Sequence, residues 1–171
     1  MATGNTPTDK TQVSVDYSSL IKDYYISELN TLIKENHSFV AFLVISSGIE
    51  FLGKAISAEM DLFKEGNSKD DFKNALDSFP SLNKYSSLGL SKDKKGIDKT
   101  LYDIVRCGIV HSTSPKTGIT LSEDGNDLPS VVGLADLAKD FNDACQDLLS
   151  GKIPMGKGKT LSDPIWYISD K

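Results

Sequence analysis

Cysteine and histidine are scarce in this sequence, with two of each among 171 residues. Cys107 and Cys145 fall in predicted helices and share no metal-ligand spacing. Neither a disulfide framework nor a zinc centre is expected, and a reducing, intracellular compartment is the simpler reading. An excess of positive charge is also missing. The net charge of -5 argues against nucleic-acid binding by bulk positive charge, while leaving room for a small local basic site. No apolar run reaches membrane-spanning length without a polar interruption. Residues Met1 to Lys10 lack the apolar core of a secretory signal. There is no Gly-x-Ser-x-Gly nucleophile elbow, no internal repeat and no long low-complexity stretch. The expectation is a cytoplasmic protein without cofactor, metal or membrane partner.

What is present is helical periodicity. The length suits one domain with a real core. Residues 1–14 are polar and read as a flexible arm. A helix begins at Asp16 or Ser18, both good N-caps, and runs to about Glu35 with Tyr17, Leu20, Ile21, Tyr24, Leu29, Leu32 and Ile33 on its apolar side. The next, from about Ser38 to Ala58, is apolar around most of its circumference and belongs in the middle of a bundle. Its polar residues Ser46, Glu50, Lys54 and Ser57 form one stripe at three- and four-residue steps. Within it Glu50 either pairs with Lys54 at i, i+4 or faces Arg106. His37 lies in a polar junction, which suits a capping or solvated role.

Lys64 to Lys69 reads as a loop. Asp70 to Phe79 reads as a short helix that Pro80 ends. Ser81 to Lys95 is an irregular connector with one short helical turn, and its lysines alternate with Asp93 as on a solvated loop. Ile119 and Leu121, then Val131 and Val132, flank the turn signal Asp124-Gly125-Asn126, which predicts a small β-hairpin or an ordered loop. The acidic residues there do not fit a calcium-binding loop. Leu134 to Leu149 is an amphipathic helix that Gly151 terminates, with Cys145 on its apolar face as a packed small hydrophobe. In the tail, Gly151 to Gly158 begins like a phosphate-binding P-loop. It fails because Gly158 stands where Ser or Thr is needed and a helix, not a strand, precedes it.

The predicted fold is all-α. It is an antiparallel bundle of four main helices plus a short one, spanning residues 15–150, with the hairpin or loop between the last two main helices. Residues 151–171 form a tail that docks on the bundle, with Trp166, Tyr167 and Ile168 as its apolar part.

The candidate chemistry lies in Leu101-Tyr-Asp-Ile-Val-Arg106-Cys-Gly-Ile-Val-His111. Leu101, Ile104, Val105, Gly108 and Ile109 follow the i, i+3, i+4, i+7, i+8 rule of a helix, and Pro115 lies just beyond its end. At roughly 100° per residue, Asp103, Arg106, Cys107, Val110 and His111 occupy the opposite side, with Arg106 and His111 about 140° apart at its rims. Cys107 and Val110 between them suit contact with another helix or a second subunit.

A helical domain with Arg106-Cys-Gly-Ile-Val-His111 near the start of its second half resembles the HEPN superfamily, small helical bundles marked by an Arg, four to six residues, then a His at the end of a late helix. The phrase Val105 to Lys116 is similar to stretches in bacterial proteins of that kind. The resemblance covers residues 16–150 by architecture and about a dozen residues by sequence. It implies a metal-independent endoribonuclease of a toxin–antitoxin or antiviral defence system, working as a homodimer with two motifs in one cleft. His111 would act as general base on the RNA 2′-OH or as acid on the leaving oxygen. Arg106 would stabilise phosphate charge in the transition state, and Glu50 would orient Arg106. An antitoxin or nucleotidyltransferase-like partner goes with that reading. The position after the Arg is usually polar in the family, and here it is Cys107. The alternative is therefore a non-catalytic HEPN-like dimerisation or RNA-binding module, in which Arg106 pairs with Glu50 or Asp103 and His111 caps the helix.

Overall fold

A computed structural model describes residues 10–58, 67–86, 101–103, 120–122 and 131–170. The fold is all-α: helices pack around one long central helix, and two short two-stranded ladders accompany them.

The chain enters on strand β1 (Lys10–Asp16), which pairs antiparallel with β4 (Pro164–Asp170), Val13 opposite Tyr167 and Val15 opposite Ile165. This corrects the flexible arm expected over residues 1–14, because from Lys10 onward the chain is strand. The reason is a long-range one. Alternating Val13 and Val15 have period-2 spacing, but the backbone partner that makes them a strand comes from the opposite end of the chain. Residues 1–9 lie outside the described set.

Asp16 ends β1 and opens the first helix. Its backbone is extended, and its Oδ1 accepts the Ser19 backbone N–H at 2.6 Å, the usual N-cap geometry. That bond holds the Asp16 carboxyl below its ordinary pKa. The helix runs without interruption through α1 (Tyr17–Ser19), a π-helical segment (Leu20–Glu28) and α2 (Leu29–Lys34). The i→i+5 bonding of a π segment widens each turn, although this one holds neither glycine nor proline. Asn36 terminates the helix in the left-handed region at φ 61°, a conformation asparagine tolerates. His37 N–H reaches the Leu32 carbonyl at 2.8 Å and Asn36 N–H the Ile33 carbonyl at 3.1 Å, which is the Schellman arrangement. His37 occupies the N-cap position of the next helix without a side-chain cap bond. Its ring is exposed, 3.6 Å from Glu35.

The central helix α3 (Ser38–Ile56) buries Ala41, Phe42, Ile45, Ile49, Leu52 and Ala55. Two glycines let its neighbours come close. A Cβ on Gly48 would lie 2.2 Å from the Phe141 ring, and one on Gly53 would lie 1.7 Å from the Asp71 carbonyl oxygen. The first contact admits α5 (Leu134–Leu149) and the second α4 (Ser68–Ser78). Asn74 secures the second contact by donating to the Gly53 carbonyl at 3.0 Å. Among the described residues α3 is the one helix long and apolar enough to cross a membrane, and half of it is buried inside the protein.

After α4 a 3-10 turn (Asn83–Tyr85) is tied to α5. Tyr85 Oη donates to Asp140 Oδ2 at 2.6 Å, Lys84 Nζ approaches the same oxygen at 2.7 Å, and Ser81 Oγ donates to the Asp140 carbonyl at 2.8 Å. Burial and the Asp140 carboxylate both push the Tyr85 hydroxyl's pKa up. Strands β2 (Thr120–Ser122) and β3 (Val131–Gly133) stand where the sequence placed a hairpin or ordered loop, and they pair in parallel register. Cys145 is wholly buried on α5, and burial pushes its thiol up.

Beyond α5, Gly151 adopts φ 74° and its N–H bonds to the Leu148 carbonyl. Residues 155–159 then close the C-terminal end of α3. Gly156 N–H donates to the Ala55 carbonyl at 3.0 Å, and Lys159 Nζ donates to the carbonyls of Lys54 at 2.7 Å and Ser57 at 3.2 Å. A Cβ on Gly156 would lie 1.7 Å from the Ser57 carbonyl oxygen. The Gly- and Lys-rich run that begins like a P-loop is thus a helix cap. Its cation meets the negative end of the α3 dipole.

Candidate functional site

Residues 101–103 are helical, as the periodicity of the motif requires at its start. Each is held differently. Leu101 is buried in the core. Tyr102 stands edge-on to Phe72 of α4, with ring centroids 5.4 Å apart, a favourable aromatic geometry. The Asp103 carboxylate receives Lys69 Nζ at 3.1 and 3.2 Å. An aromatic contact and an ion pair thus tie Tyr102 and Asp103 to α4. The candidate residues Arg106, Cys107 and His111 lie outside the described residues.

A small cavity of about 60 Å³ opens at this junction, lined by Phe72, Leu76 and Tyr102 with Lys69, Lys73, Asp77 and Ser86 around it. Lys69 is paired with Asp103, and Lys73 with Asp77.

Glu50 is half-buried on α3, in the polar stripe with Lys54. The structure adds a residue that the sequence reading missed. Asp71 of α4 faces this stripe, is only 7% exposed, and its Oδ2 accepts no hydrogen bond. Burial raises the Asp71 pKa. Lys54 draws it down, Glu50 raises it again, and Lys159 draws it down from the tail. Glu50 is therefore electrostatically coupled to Asp71 across the α3–α4 contact. The i, i+3, i+4 spacing of Ser46, Glu50, Lys54 and Ser57 was the available signal that a polar neighbour faces α3. Which acid supplies it was not legible, because Asp71 sits in a run of four residues, Lys69 to Phe72, where three are charged.

Among the described residues no group of three His, Cys, Asp or Glu side chains is placed to hold a metal ion. Lys69, Lys73, Lys84, Lys139 and Lys152 each form an ion pair with an aspartate. No protein-family model, no curated protein and no solved structure matches this chain.

Proposed function

We propose that this chain is a HEPN-like helical-bundle protein and a cytoplasmic, metal-independent endoribonuclease, with Arg106 and His111 at a cleft between two copies. The observation that carries the reading is the anchoring of residues 101–103, where the motif begins. Leu101, Tyr102 and Asp103 are each fixed by a different contact, and reactive groups need rigid support to hold productive geometry.

The chemistry is the following. His111 takes the 2′-OH proton as the 2′ oxygen attacks phosphorus, or gives a proton to the departing 5′ oxygen. Arg106 binds the phosphate oxygens as negative charge accumulates on them. It is the only arginine in the chain, so no other guanidinium can replace it. The test is incubation of the purified protein with single-stranded RNA in EDTA. Cutting is expected, and it should be lost in His111→Ala and Arg106→Ala while far-UV circular dichroism stays unchanged. Undiminished cutting by His111→Ala sinks the reading.

A second reading is a HEPN-like dimerisation or RNA-binding module without chemistry. One observation favours it: Cys107 stands where the family usually has a polar residue. It expects no cleavage, and a loss of dimer or of stability when Arg106 is changed. An adjacent gene for an antitoxin or small nucleotidyltransferase favours the toxin form of the first reading.

A further inference from the structure

Two aromatic rings border the open space beside residues 101–103. Phe72 and Tyr102 stand edge-on to each other, and both line the cavity together with Leu76. The cavity of about 60 Å³ widens at its mouth, and the space between its lining side chains reaches about 360 Å³, within the range of small-molecule sites. Its walls are apolar and its rim is polar. Lys69, Lys73, Asp77 and Ser86 form that rim, and all four are exposed.

We propose that this cavity is a subsite for one unstacked nucleobase of single-stranded RNA, with the base lying on Tyr102 and the strand's phosphate meeting Lys69 or Lys73. The proposal rests on the RNA-directed reading of the chain, and it names a part of the substrate that Arg106 and His111 do not handle. Three features carry it. The first is the shape of the guest. An edge-on pair covers at most one face of the Tyr102 ring, and a planar ring can lie against the other. Stacking of splayed-out bases on aromatic side chains is the usual way a protein holds single-stranded RNA. The second is the rim. The edge of a base carries hydrogen-bond donors and acceptors side by side. The Asp77 carboxylate accepts, the ammonium groups donate, and the Ser86 hydroxyl does both. An aliphatic guest would use none of them. The third is position. Arg106 follows Tyr102 by four residues, one turn of the helix that the motif spacing predicts. Side chains one turn apart are about 5–6 Å apart at Cβ, which suits a phosphate and the base of an adjoining nucleotide.

Electrostatics makes the base the principal handle. Lys69 and Lys73 are paired with Asp103 and Asp77, and the chain's net charge is -5. Bulk attraction to phosphates is therefore weak, and stacking supplies what charge does not. The two lysines are 58% and 71% exposed. Ion pairs at such positions hold little energy, so either ammonium can exchange its aspartate for a phosphate oxygen at small cost.

The test is fluorescence anisotropy with the full chain carrying His111→Ala, so that the RNA stays whole. The probes are a short labelled oligouridylate and an abasic ribose-phosphate strand of the same length. The oligouridylate should bind, and the abasic strand should bind at least about fivefold more weakly. Tyr102→Ala should weaken the oligouridylate by about fivefold to a hundredfold and leave the abasic strand unchanged. Tyr102→Phe keeps the ring and should keep the affinity. Ser86→Leu puts aliphatic bulk into the mouth at an exposed position, and should reproduce the loss with an unchanged melting temperature. No binding of oligouridylate overturns the proposal. So does a loss in Tyr102→Ala and Ser86→Leu that is equal for the two strands, or no loss in either variant. If the wild type cuts RNA in EDTA and Ser86→Leu cuts it equally well, the subsite falls while the ribonuclease reading stands. Base-dependent binding by a wild type that never cuts RNA supports the subsite, and sinks the ribonuclease in favour of a binding module.

Discussion

Lys159, near the end of the chain, places its ammonium 2.7 Å from the carbonyl oxygen of Lys54 at the end of the central helix. Two positive side chains share this corner because the bond is made to the backbone of Lys54, not to its side chain. The last carbonyls of a helix lack an i+4 donor within it, and Lys159 also donates to the Ser57 carbonyl. Lys159 is itself buried, so its loss leaves the Ser57 carbonyl short of this donor, while the Lys54 carbonyl keeps the Ser57 hydroxyl at 2.9 Å. Lys159→Met is expected to destabilise the protein by about 2 kcal/mol, the scale of a hydrogen bond to a charged group. Lys157→Met, at an exposed position of the same run, should change stability by less than about 0.5 kcal/mol. Urea denaturation of the two variants side by side checks the contrast.

Asp71 should work against the fold at neutral pH. Burial raises its carboxyl pKa above the ordinary value, and nearby Glu50 adds to the rise. An unfolded Asp71 ionises near its ordinary pKa, whereas the folded one resists. Above the folded pKa the native state carries a cost that the unfolded state does not. Below the ordinary pKa both states are protonated and the cost is gone. Asp71→Asn is therefore expected to raise the melting temperature at pH 7, with the gain shrinking toward zero as the pH falls through the acidic range. A lower melting temperature for Asp71→Asn at pH 7 contradicts this account. Destabilising groups of this kind are often kept for a role in function.

The helices were legible in the sequence because each carries its own signal. The apolar spacing of Leu134 to Leu149 survives in the structure as buried Leu134, Leu137, Phe141, Cys145 and Leu148. Asp16 caps the first helix as its side chain predicts. What the sequence hid depends on pairing over long separations. Strand β1 exists because β4 lies beside it, and the local polar composition of residues 1–14 gives no hint of that. The run Gly156-Lys157-Gly158-Lys159 shows the same limit at a site. Glycines and lysines suit the close approach of a backbone to any oxygen-rich partner. Only the structure identifies that partner as the end of α3 and not a phosphate. Glu50 was singled out from its stripe, but its neighbour Asp71 comes from a different helix and could not be read locally.

Tyr85 and Asp140 join the 3-10 turn to α5 through a 2.6 Å bond. Removing the hydroxyl in Tyr85→Phe leaves a mostly buried carboxylate with one donor fewer, a change expected to cost about 1–3 kcal/mol. Lys84 meets the same oxygen but is itself largely exposed, so Lys84→Ala should cost less than about 1 kcal/mol. In Asp140→Asn the Tyr85→Phe change should cost measurably less than in the wild type, because the charged acceptor is gone. A double-mutant cycle by chemical denaturation measures the coupling. Equal costs in the two backgrounds would mean that the carboxylate's charge adds nothing to the bond.

Gly48 and Phe141 fix how closely α3 and α5 approach. A methyl group on Gly48 would lie 2.2 Å from one ring carbon of Phe141 and 2.7 Å from another, well inside van der Waals contact. Both residues are buried, and the same ring stands edge-on to Tyr25 at 5.9 Å. The ring can yield only by disturbing a second contact. Gly48→Ala is expected to cost about 1–3 kcal/mol, the range for overpacking a close-packed core, against the small gain that alanine brings to an unstrained helix. Phe141→Leu alone should also destabilise, because it leaves a cavity. Combined with Gly48→Ala, the smaller side chain frees the space that the new methyl needs. The double variant should therefore be more stable than the sum of the two single losses predicts, by at least about 0.5 kcal/mol. Simple additivity in thermal or urea unfolding would show that α3 and α5 shift apart instead, and that the glycine does not set their spacing.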